Sequence, residues 1–110
     1  MTNPATPEKG YVACVNDLLV NAANEWRKND YVAAVKLCRE ARALAAEQIG
    51  RDSSVYGYCL EDLGISLIAM NCLDEAREVL GEALCVMEKH LGSRATEVVR
   101  IFGRLHDLYH

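Results

Sequence analysis

The chain has 110 residues, 51% hydrophobic and 6% aromatic, with 12 Lys and Arg against 16 Asp and Glu for a formal charge of −4. That length fits one domain able to bury a core without metal or disulfide staples, which excludes a multi-domain enzyme. The acidic balance argues against a nucleic-acid or anionic-membrane partner, since both rely on a basic surface to meet phosphates.

The segment Met1 to Gly10 holds both prolines and no apolar run, so it reads as a flexible tail over 1–6 and neither a signal nor a transit sequence. Thr6-Pro7-Glu8 is a helix start: a capping hydroxyl, a proline whose missing N–H does no harm, and an acid at the positive end of the dipole. Tyr11, Val15, Leu18, Ala22 and Trp26 then form one stripe. Asn29-Asp30 breaks that helix, and a second runs from about Tyr31 to Ile49, with Ala34, Cys38, Ala41 and Ala45 on one face and Lys36, Arg39, Glu40 and Glu47 mostly outside. Gly50 suits a left-handed closing turn, and Asp52 or Ser53 can cap a third helix through Tyr56, Leu60, Leu63, Leu67 and Ile68. Asn71 ends it. A fourth helix, about Leu73 to Leu91, carries Ala76, Leu80, Ala83, Leu84 and Met87, and Gly92-Ser93 closes it and caps a fifth ending in Tyr109. Past the tail there is no proline and no strand-like alternation, so the chain reads as all-α, with short loops that make neighbouring helices antiparallel.

Five cysteines, Cys14, Cys38, Cys59, Cys72 and Cys85, include no CxxC pair and sit mostly among Ala, Val and Leu. They read as small core hydrophobes of a reducing compartment. The longest apolar run, Leu67 to Met70, is far short of the roughly 20 residues that cross a bilayer. A cytoplasmic protein without membrane contact is expected.

Sliding the chain by 42 residues aligns seven identities: Leu18 on Leu60, Asn29 on Asn71, Ala34 on Ala76, Glu40 on Glu82, Ala41 on Ala83, Gly50 on Gly92 and Leu63 on Leu105. Small residues and helix breakers both recur in phase, so what repeats is a packing scheme and not only a composition. The units fall at about 11–52 and 53–94, with a closing helix at about 94–109, inside one domain over 7–110.

This pattern resembles a tetratricopeptide repeat, in the 42-residue form found in kinesin light chains and many bacterial scaffold proteins. The resemblance rests on Leu60-x-x-Leu63-Gly64, then Asn71-x-Leu73-x-x-Ala76, Leu80 and Ala83-Leu84, running on to Gly92. Asn21 and Glu25 depart from it where the family usually has Leu and Tyr, in a first helix that would form the open edge of a solenoid. The resemblance implies a right-handed superhelical array of antiparallel helix hairpins, two repeats plus a C-terminal capping helix, whose first helices line a concave groove for a peptide or helix of a partner protein. Carried over position by position, the groove would take Asn16, Leu19, Ala23, Trp26 and Arg27, then Tyr58, Glu61, Ile65 and Ile68, then Arg100, Gly103 and Asp107. It is mostly apolar, with Glu61 and Arg100 at the edge, and has Leu19, Ala23, Glu61, Gly103 and Asp107 where members that grip a chaperone carboxylate use Lys, Asn and Arg. Trp26 either anchors a partner or plugs the core, and Ile65 and Ile68 either meet the partner or pack between repeats.

Val98, Val99, Ile101, Phe102, Leu105, Leu108 and Tyr109 cover more than one face of the fifth helix, which raises self-association through that helix, by Val98, Phe102, Leu105 and Tyr109, as the alternative function. Catalysis finds little support. All three histidines, His90, His106 and His110, lie in the last fifth of the chain, far in sequence from most cysteines. His106 and His110 alone make a poor metal site, and no phosphate loop, HExxH or paired-carboxylate motif occurs. Asp74, Glu75, Glu78, Glu82 and Glu88 read as a solvated face. The expectation is a non-enzymatic adaptor or scaffold module needing no cofactor or metal.

Overall fold

The computed structural model describes residues 7–109, so the expected tail, the Thr6 cap and His110 lie outside the described residues. Five α-helices follow in order: α1 (Pro7–Arg27), α2 (Tyr31–Gln48), α3 (Ser54–Ala69), α4 (Leu73–Leu91) and α5 (Thr96–Leu108). None of them is long and apolar enough to cross a membrane.

The 42-residue register appears in the backbone itself. Asn29 (φ 67°) and Asn71 (φ 62°) are the only non-glycine described residues with positive φ. Asparagine tolerates that left-handed conformation better than other side-chain-bearing residues. Each closes a helix in the same way: the Asp30 N–H donates to the Glu25 carbonyl and the Asn29 N–H to that of Trp26, while 42 residues on Cys72 donates to Leu67 and Asn71 to Ile68. These are matched Schellman turns, which satisfy carbonyls that would otherwise end the helix unpaired. The Asp30 carboxylate then caps α2 by accepting from the Ala33 N–H, and Ser53 caps α3 by accepting from that of Tyr56. Asp52, the other candidate cap, instead accepts from Lys89 and pairs with His90 at the end of α4. Gly92 closes α4 with φ 89°, but Ser93 does not cap α5; Ala95 holds that position without a side-chain bond.

Packing follows chain order. Gly57 of α3 faces Met87 of α4 and Gly64 faces Leu80, so α3 and α4 run antiparallel. Tyr58 meets Glu97 and Glu61 meets Arg100, the same offset twice, so α3 and α5 run parallel. The result is a slab of 55 × 32 × 20 Å whose core holds Leu60, Leu63, Leu67, Leu80, Met87 and Ile101. Ala34, Ala41, Ala76 and Ala83, all fully buried, let the helices approach closely.

Candidate functional site

An open cavity of about 320 Å³ lies between α1, α3 and α5, with Cys38 of α2 contributing to its lining. Five of the expected groove residues converge on it: Leu19, Ala23, Trp26 and Arg27 from α1, and Ile65 from α3. Trp26 is 40% exposed and packs edge-on against Tyr31, with ring centroids 5.9 Å apart. It therefore forms a wall of the cavity and does not plug the core. Arg27 donates to Asn24 on its own helix at 3.0 Å, which leaves its aliphatic stem along the cavity.

The other expected residues are placed differently. Glu61, expected at the edge of the groove, is 1% exposed and accepts both donors of a bidentate Arg100 guanidinium, at 2.5 and 2.8 Å. The Tyr58 hydroxyl donates to Glu97 at 2.7 Å. These contacts form a polar seam that fastens α5 to α3, so Tyr58, Glu61 and Arg100 are committed to holding those two helices together. Ile68 packs partly buried against the core, whereas Asn16, Gly103 and Asp107 are exposed and outside the cavity lining.

The positional carry-over missed the polar floor of the cavity, formed by Asp62, Ser66 and Arg104, with Ala22 and Cys38 beside it. Asp62 and Ser66 are four apart on α3, hence on one face. Arg104 stands one 42-residue register after Asp62, so the parallel stacking of α3 and α5 carries both to the same side. That coincidence of opposite charges at equivalent positions was available in the sequence. Burial, aided by Glu61, pushes the Asp62 carboxyl up to about 6, with Arg100 and Arg104 opposing the rise. Arg104 Nε is buried and has no hydrogen-bond partner among the described residues. Burial also pushes the Cys38 thiol up to about 12, so it lines the site as a neutral group.

Two further expectations are corrected. Only Cys38 and Cys59 are core hydrophobes; Cys14, Cys72 and Cys85 are exposed. On α5, Val98 and Leu105 are buried and cannot form a docking face, whereas Phe102 (60%) and Tyr109 (70%) are exposed, together with Val99.

No family model matches this chain, and no curated protein matches it either. The geometry of the cavity therefore carries the functional argument.

Proposed function

We propose that the chain is a non-enzymatic interaction module, a short right-handed array of the tetratricopeptide kind, that holds a segment of a partner protein in the α1/α3/α5 groove. The observation that carries this reading is the convergence of Leu19, Ala23, Trp26, Arg27 and Ile65 on one open cavity floored by Asp62, Ser66 and Arg104. An apolar side chain of the partner set against Trp26 and Ile65 supplies the burial energy, and aromatic anchors of this kind dominate many interfaces. The floor supplies direction. Arg104, which lines the cavity, carries guanidinium N–H donors for a carbonyl of the bound segment. Asp62 and Ser66 offer acceptors for its N–H groups.

Trp26 is the only tryptophan, so its fluorescence reports directly on the groove. Selection from a displayed random peptide library, with depletion against Trp26→Ala and Ile65→Glu variants, should enrich groove-dependent peptides that then shift Trp26 emission saturably. If both variants fold by circular dichroism and the wild type enriches nothing beyond them, the groove reading fails.

A further inference from the structure

A second surface, distinct from the groove, is defined by the repeat itself. Gly57, Leu60, Gly64 and Leu67 form the stripe of α3 that faces α4: a Cβ on Gly64 would lie 2.5 Å from Leu80, and one on Gly57 would run into Met87. One 42-residue register earlier the stripe is Val15, Leu18, Ala22 and Glu25 of α1, and the residues of α2 equivalent to Leu80 and Met87 are Cys38 and Ala45. Val15, Ala22, Cys38 and Ala45 are all buried, so bulk has been exchanged across the helix pair: glycine against Leu and Met in one, Val and Ala against small residues in the other.

One register later the stripe is Val99, Phe102, His106 and Tyr109 of α5, and here it is open, with Val99 58%, Phe102 60% and Tyr109 70% exposed. Beside it α4 and α5 enclose a surface cavity of about 470 Å³ whose lining includes Leu84, Val99, Phe102 and a single charge, Glu88. The Arg39 guanidinium of α2 donates both bonds to Glu75 of α4, 36 residues on. The same offset from Glu88 leads to the place two registers after Glu40 of α2 and one register after Glu82 of α4.

We propose that the outer face of α5 seats an amphipathic helix of a partner protein, lying on α5 as α2 lies on α1. It carries alanine-sized residues opposite Val99 and His106 and a lysine or arginine opposite Glu88. The small residues follow from sterics, because Val99 and His106 fill the space that Gly57 and Gly64 leave to Met87 and Leu80. The cation follows from charge complementarity with Glu88. This is helix-in-groove recognition, with Phe102 as its central anchor.

The α2 sequence, residues 31–48, already has the required small face, so it supplies the probe. A labelled peptide of this sequence carrying Glu40→Lys is titrated into the full chain under reducing conditions and followed by fluorescence anisotropy. It should bind saturably. Adding Cys38→Leu and Ala45→Met to the peptide should weaken it about tenfold or more, as expected for bulk forced into a filled seam. Restoring Glu40 should weaken it about threefold, the scale of an exposed ion pair. Phe102→Glu in the chain should abolish binding and Phe102→Ala weaken it, both variants being checked for native circular dichroism. Equal binding of the bulky peptide, binding indifferent to Phe102, or no binding would overturn the proposal. So would a concentration-dependent dimer that Phe102→Glu dissolves, which would make a second copy the occupant.

Discussion

Replacing Asp62 by Asn should make the protein more stable at neutral pH, against the usual cost of altering a half-buried polar residue. The Asp62 carboxyl is raised from 3.8 to about 6, chiefly by burial and then by Glu61. At about 1.4 kcal/mol per pH unit, keeping it ionised in the fold costs up to about 3 kcal/mol at pH 7. The sign follows from proton binding. Between pH 3.8 and about 6 the folded protein holds this proton more tightly than the unfolded chain, so the contribution of Asp62 falls as pH rises through that window and stays low above it. Asn keeps the shape and removes the charge. Urea denaturation followed by far-ultraviolet circular dichroism, run on both proteins from pH 3.5 to 7.5, isolates this one group by difference, since all other titrations are shared. The variant should match wild type near the acid end, pull ahead through the window, and level off up to about 3 kcal/mol more stable. A variant no more stable than wild type at pH 7.5, or an advantage that persists unchanged to the acid end, would refute the reasoning. A charge retained in a cavity at such a cost is also what a binding site requires, so the stabilised variant should lose affinity for groove-selected peptides.

The exchange of bulk between repeats predicts strong coupling: Gly64→Ala and Leu80→Cys should each destabilise by about 1 to 4 kcal/mol. Together they recreate the Ala22 and Cys38 arrangement of the first repeat, so a double-mutant cycle should show at least about 1 kcal/mol of mutual relief. Arg100→Met strips the partner from the fully buried Glu61 and should cost about 3 kcal/mol, with hydrogen exchange accelerating first along α5. Under native conditions a thiol reagent at mildly alkaline pH should label Cys14, Cys72 and Cys85 quickly. Cys38 and Cys59, buried with thiols pushed up to about 12, should react only after unfolding.

Much of the architecture was legible because it is local. Apolar spacing, Asn29 and Asn71 in left-handed turns, Gly50 and Gly92 at positive φ, and caps such as Ser53 act within a few residues, so the chain states its helices and their repeat directly. Leu19, Ala23, Trp26, Arg27 and Ile65 came from the resemblance carried over by position, and the five line one cavity. What the sequence left open depends on rotation about each helix axis, where one residue turns a side chain by about 100°. Glu61 and Asp62 are adjacent, yet one is locked to Arg100 in the α3/α5 seam while the other floors the groove. On α5, Val98 is buried and Val99 exposed for the same reason. Whether a cysteine is core or surface, and whether a charge is paired, follows from which neighbouring helix faces it, and that is settled only when the five helices stack.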